Sequence, residues 1–109
     1  MKGNKMETIT INKIDRSLFV EARLWFDKTY GNTYYSARLY VDGEIIATLP
    51  MSYGYDMQYL QGARDKLIEL GYISAEYASK PLWRAVSALG IDLYFSDKYV
   101  TKRELFKAE

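Results

Sequence analysis

The chain of 109 residues predicts a single α+β domain, an antiparallel β-meander of four to five strands with two to three helices packed on one face. Three observations carry that expectation. Apolar and polar residues alternate with period two over residues 7–49, apolar residues recur at helical spacing over 60–89, and alternation returns over 91–95. Strands, then helices, then a last strand, with no linker or repeat between them, describe a sheet whose helices cover one side. The domain spans 1–109, with 1–5 and 106–109 expected to fray.

The first strand is read from Glu7 to Lys13, where Thr8, Ile9, Thr10 and Ile11 supply β-branched alternation. Ile14 to Ser17 reads as a turn. From Leu18 to Phe26 the even positions Leu18, Val20, Ala22, Leu24 and Phe26 face the core, and Phe19, Glu21, Arg23 and Trp25 face away. Turn chemistry at Thr29–Thr33 leads into a third strand, Tyr34 to Val41, which buries Tyr35, Ala37, Leu39 and Val41. Asp42-Gly43 is a hairpin signal. A two-residue loop would pair Leu39 with Ile46 and Ala37 with Thr48. A bulge at Gly43 would pair Leu39 with Ile45, Ala37 with Ala47 and Tyr35 with Leu49. The second register sets apolar against apolar three times and is preferred.

Pro50 is expected to end the fourth strand. The aromatic loop Met51 to Asp56 precedes a helix over about 56–70, striped by Leu60, Ala63, Leu67 and Leu70, with Gly71 at its end. Gly62 inside that helix costs about 1 kcal/mol against alanine and is explained by close packing on the sheet. Ser74-Ala75-Glu76 starts a short helical turn. Ser79-Lys80-Pro81 starts a second helix, whose buried stripe is Leu82, Val86 and Leu89 with Trp83 beside it; Gly90 closes it. Ile91, Leu93 and Phe95 form the fifth strand. The tail, 98–109, adds an edge strand or frays.

Composition narrows the function classes. Fifteen Lys and Arg against fourteen Asp and Glu leave a formal charge of +1, without the basic excess of a duplex-DNA binder or the acidic excess of a nucleic-acid mimic. The absence of cysteine and histidine removes thiolate nucleophiles, sulfur-based zinc sites and the commonest general base. No serine lies in a G-x-S-x-G elbow, no phosphate-cradling glycine motif is present, and Asp42, Glu44, Asp92 and Asp97 form no carboxylate pattern that marks a site. The expectation is a protein that is not an enzyme, with no catalytic residue, metal or cofactor. No apolar run reaches the roughly 20 residues of a membrane span, and the polar start Met1-Lys2-Gly3-Asn4-Lys5 is not that of a signal peptide. A cytoplasmic protein without membrane association is expected.

The informative surface is the sheet face away from the core. With Leu24 opposite Ala37, Arg23 falls opposite Arg38, flanked by Trp25, Tyr34 and Tyr40, with Phe19 and Glu21 further along. Like charges directly opposite destabilise a sheet, and bare tryptophan and phenylalanine on one face call for a cover. Three readings stand: a protein interface, self-association included; a platform for single-stranded nucleic acid or a nucleotide; and a solvated face where arginine stems lie over the rings. Tyr53, Gly54, Tyr55 and Tyr59 in the loop before the helix extend the candidate surface. At least one of those rings is expected to wedge the helix onto the sheet instead. Gly54, ahead of a helix start, is also the nearest approach to an anion cradle.

Two blocks, Tyr40-Val41-Asp42-Gly43-Glu44 through Tyr53-Gly54-Tyr55-Asp56-Met57-Gln58-Tyr59, and Gly90-Ile91 through Val100-Thr101-Lys102-Arg103-Glu104-Leu105, resemble segments of small uncharacterised accessory proteins of tailed bacteriophages. The resemblance implies a phage gene product made in a bacterial cytoplasm that acts by binding, for example by occupying a host protein or defence complex. It assigns no functional residue. A non-enzymatic binder of a host protein or assembly, with homo-oligomer formation open, is the first expectation. A binder of single-stranded nucleic acid or a small signalling nucleotide through Arg23, Arg38 and Trp25 is the second.

Overall fold

The computed structural model of the chain describes residues 14–106. Its elements are β1 (Ser17–Asp27), β2 (Asn32–Val41), β3 (Glu44–Tyr53), α1 (Tyr59–Glu69), a 3₁₀ turn (Ala75–Tyr77), α2 (Leu82–Leu89), β4 (Asp92–Tyr99) and α3 (Lys102–Phe106). The strand expected over 7–13 lies outside the described residues.

The α+β class holds, but the sheet is mixed and not an antiparallel meander. Its order is β3-β2-β1-β4, with β1–β2 and β2–β3 antiparallel and β1–β4 parallel. The reason lies in the crossing between β3 and β4. The segment holding α1 and α2 returns the chain to the end of the sheet where β1 begins, so β4 enters beside β1 and runs in the same direction. Asp92 N–H donates to the Arg16 carbonyl at that entry, 2.9 Å away.

The expected alternation places the core. Leu18, Val20, Ala22 and Leu24 from β1 and Tyr35, Ala37, Leu39 and Val41 from β2 are all buried beneath Tyr59, Ala63 and Leu67 of α1 and Leu82, Ala85 and Val86 of α2. Each large aliphatic side chain so buried contributes about 1.5–3 kcal/mol. Phe26 departs from the pattern and is exposed at the hairpin end. Ile14, expected in a turn, is instead part of the core.

The β2–β3 hairpin follows neither expected register throughout. Asp42 and Gly43 have φ of 52° and 90°, the two left-handed residues of a tight two-residue turn. Val41 faces Glu44 and Tyr40 faces Ile45; a shift then brings Leu39 to Ala47 and Ala37 to Leu49. Apolar residues still meet, through a bulge placed beyond the turn and not at Gly43. The strand also runs past Pro50 to Tyr53, with a second shift between Tyr35 and Ala37. Proline is tolerated there because β3 is an edge strand.

Asp42 ties this hairpin to the start of β1. Its carboxylate accepts backbone N–H bonds from Asp15 (3.0 Å), Arg16 (2.7 Å) and Ser17 (3.0 Å). Those donors, Asp15 foremost, hold its pKa below the ordinary carboxylate value.

Gly62 bears out the close-packing explanation. A Cβ there would collide with the Tyr35 hydroxyl and touch Leu49. Gly90 closes α2 with a left-handed φ of 73°.

Beyond β4 the described part of the tail forms a short helix and not an edge strand, and residues 107–109 lie outside the described residues. Thr101 and Glu104 form a reciprocal cap, Glu104 N–H to Thr101 Oγ1 and Thr101 N–H to Glu104 Oε1, each 3.2 Å. This cap starts α3, which buries Leu105. The Leu105 carbonyl accepts from the Ser36 hydroxyl at 2.6 Å. Ser36 lies on the face opposite α1 and α2, so the expectation that all helices share one face fails at α3.

Candidate functional site

The pairing of β1 with β2 corrects the charge arrangement. Leu24 faces Tyr35 and Ala22 faces Ala37, so Arg23 lies opposite Ser36 and Arg38 opposite Glu21. The register is two residues from the expected one, which keeps every side chain on its face but removes the like-charge pair. Arg38 Nη1 is 3.8 Å from Glu21 Oε1, and the Tyr40 hydroxyl donates to the same oxygen at 3.2 Å. Phe19 and Tyr40 rings pack at 5.4 Å. This half of the face is an internally satisfied polar–aromatic cluster, and its exposed ion pair is worth at most about 1 kcal/mol.

The other half carries α3. Arg23 Nη1 donates to the Glu104 carbonyl at 3.2 Å, and Lys102 Nζ sits 5.3 Å from the Trp25 ring centroid. Arg23 and Trp25 are therefore partly covered by the chain's own last helix. Both guanidinium groups of the expected site already have protein acceptors.

What the fold does assemble is an aromatic row across three strands. Trp25 stacks on Tyr34 at 5.7 Å, and Tyr34 meets Tyr53 edge-on at 5.9 Å. Cross-strand ring pairs of this kind favour the pairing itself, by about 0.5–1 kcal/mol each. The row ends at Tyr53, which is 57% exposed. At the same end of the sheet lie the β1–β2 loop, with Tyr30 at 77%, and the loop after β3, with Tyr55 at 58%. Phe106 on α3 is also exposed. Tyr30 and Phe106 were not singled out from sequence; a tyrosine beside Gly31 in a turn could have marked the first.

The loop residues separate into two roles. Tyr53 and Tyr55 face solvent. Gly54 is buried: its N–H donates to the Thr33 carbonyl at 3.0 Å, and a Cβ there would come within 3.0 Å of the Tyr35 ring. It lies ahead of α1, which begins at Tyr59, so its amide belongs to the sheet end and not to an anion cradle. Tyr59 leaves the candidate surface altogether. It is fully buried, 6.4 Å from the Tyr35 ring, and its hydroxyl donates to Asp97 at 2.6 Å. It is the ring that wedges the helix onto the sheet.

Two depressions adjoin β4, one lined by Glu21, Arg23, Ser96 and Lys98 and one by Leu24, Asp56, Met57 and Tyr99, with Asp97 bordering both. Both are open, unlike the concave sites that enclose small ligands. Among the described residues no three His, Cys, Asp or Glu side chains gather as a metal site requires, and no helix is long and apolar enough to cross a membrane. Comparison with family models, curated proteins and solved structures finds no match.

Proposed function

We propose that the chain is a non-enzymatic binding protein that occupies a partner protein through the aromatic end of its sheet. The observation that carries this reading is the row Trp25–Tyr34–Tyr53, continued by exposed Tyr55 and Tyr30 in the adjoining loops. Rigid rings with polar tips supply large contact area at low entropic cost, and protein interfaces are enriched in them. The partner in this reading is a host protein or assembly in a bacterial cytoplasm, as the resemblance to phage accessory proteins implies. The nucleic-acid reading leaned on Arg23 standing opposite Arg38; instead Arg23 donates to the Glu104 backbone carbonyl and Arg38 lies 3.8 Å from the Glu21 carboxylate.

Affinity capture from bacterial lysate tests the proposal. The immobilised wild-type chain should retain a defined protein in high salt and after nuclease treatment. Tyr53→Ala combined with Tyr55→Ala should reduce retention by about tenfold or more. Retention that disappears with nuclease or salt would move the surface to nucleic acid. Retention unchanged by the double substitution would end the proposal.

A further inference from the structure

The two edges of the sheet differ in how they are protected. The outer edge of β3 is broken by two register shifts and carries Pro50, which has no N–H to offer. β4 has neither device. It pairs with β1 residue for residue from Asp92 to Tyr99, and Tyr94, Phe95 and Tyr99 are exposed along it. Among the described residues no strand lies against its outer edge.

The backbone of β4 is oriented for pairing. Asp92 and Val100 N–H groups donate to the carbonyls of Arg16, just ahead of β1, and Leu24 within it, at 2.9 and 2.7 Å. In a parallel strand alternate residues turn both backbone groups the same way, so Leu93, Phe95, Asp97 and Tyr99 direct theirs outward. We propose that this edge pairs with β4 of a second copy of the chain, antiparallel about a two-fold axis at Phe95, joining two sheets into one.

Charge selects that register. With Phe95 opposite itself, Leu93 faces Asp97 and Asp92 faces Lys98, each pair occurring twice by symmetry. The outward residues then form about six inter-chain backbone bonds, and two complementary charge pairs lie on the face away from α1 and α2. Shifting the axis to Ser96 would add bonds at Tyr99 but set Lys98 against Tyr94 and Asp92 against Val100, losing both charge pairs. Among the described residues the only other sheet edge, that of β3, is interrupted by register shifts and Pro50. The surface is separate from the aromatic end proposed for the partner, so either proposal can fail without the other.

Sedimentation equilibrium on the whole chain, from micromolar to millimolar concentration, should show a monomer–dimer equilibrium. Asp92→Lys should raise the dimer dissociation constant by about five- to tenfold, and adding Lys98→Asp should restore it to within about twofold. Lys98 also lies in the field of Glu104, so Asp92→Lys is the cleaner single arm. Phe95→Pro removes an outward N–H without touching a bond to β1, and should leave a folded monomer. Amide exchange gives a readout independent of these variants. Leu93, Phe95 and Asp97 amides should slow with increasing concentration, whereas Tyr94, Ser96 and Lys98 should be protected at every concentration. A chain monomeric at all concentrations, as when the edge is closed within one molecule, would overturn the proposal. So would a dimer indifferent to both Asp92→Lys and Phe95→Pro.

Discussion

The Tyr59 hydroxyl donates a 2.6 Å hydrogen bond to the Asp97 carboxylate, joining the first residue of α1 to β4. It ties the helix that follows β3 to the strand added at the opposite edge of the sheet. Tyr59→Phe should keep the buried ring and lose the bond, costing about 1.5 kcal/mol in denaturant unfolding.

The same bond sets an alkaline limit. Burial, and then the neighbouring Asp97 carboxylate, raises the Tyr59 phenol above its ordinary value of 10.0. The folded state holds a proton that the unfolded state releases, so this stabilisation is intact below about pH 10 and is lost as pH rises further. Melting temperature followed from about pH 8 to about pH 11 should fall more steeply for wild type than for Tyr59→Phe, closing the gap between them. Tyr35, raised chiefly by burial, contributes equally to both curves. Parallel curves would refute the assignment.

Asp42 acts at the other end of the pH scale. Because its pKa is depressed by backbone donors, its stabilisation is present above about pH 4 and is lost as pH falls through the folded value. Asp42→Asn tolerates the same left-handed backbone but carries no charge. Wild type should have the higher urea midpoint at neutral pH, and the difference should vanish in acid. A constant difference would mean that the charge is not what ties the hairpin to β1.

Gly62→Ala should destabilise the fold although alanine is the better helix former. Propensity favours the substitution by about 1 kcal/mol, but the new Cβ meets the Tyr35 hydroxyl, and overpacking typically costs about 1–3 kcal/mol. Adding Tyr35→Phe removes the obstructing oxygen. The double variant should be more stable than the sum of the single effects predicts, by about 1 kcal/mol in a double-mutant cycle.

Release of α3 should uncover Trp25. Thr101→Ala removes half of the reciprocal cap, costing that helix about 1 kcal/mol, and Leu105→Ala removes its one buried side chain. In a Trp83→Phe background, each should increase acrylamide quenching of Trp25 fluorescence, with the core transition barely shifted for Thr101→Ala. Unchanged quenching would show that α3 does not cover the indole.

Much of the architecture was legible because it depends on local period. The buried sets Leu18–Leu24 and Tyr35–Val41, the Asp42-Gly43 turn, the close of α2 at Gly90 and the close approach at Gly62 each follow from one residue's neighbours or backbone preference. The candidate site was legible only in part. Trp25, Tyr34, Tyr53 and Tyr55 come together at one end of the sheet, whereas Arg23 and Arg38 are drawn to Glu104 and Glu21, and Tyr59 is sealed in the core. The cap Thr101-Lys102-Arg103-Glu104 was written in the tail as a helix-start signal, but where that helix docks was not.

Sequence alone determined which side chains face in and which face out along the middle of β1 and β2, from Leu18 to Leu24 and from Tyr35 to Val41, since strand period acts over a few residues. Only the tertiary structure decided what stands opposite what. A slip of two residues between β1 and β2 leaves every face unchanged, so alternation could not tell Arg23 beside Arg38 from Arg23 beside Ser36. The four-residue turn at 28–31 makes that choice. The parallel entry of β4 beside β1, and the docking of α3 on the far face, likewise depend on pairings between residues distant in the chain, which no local pattern encodes.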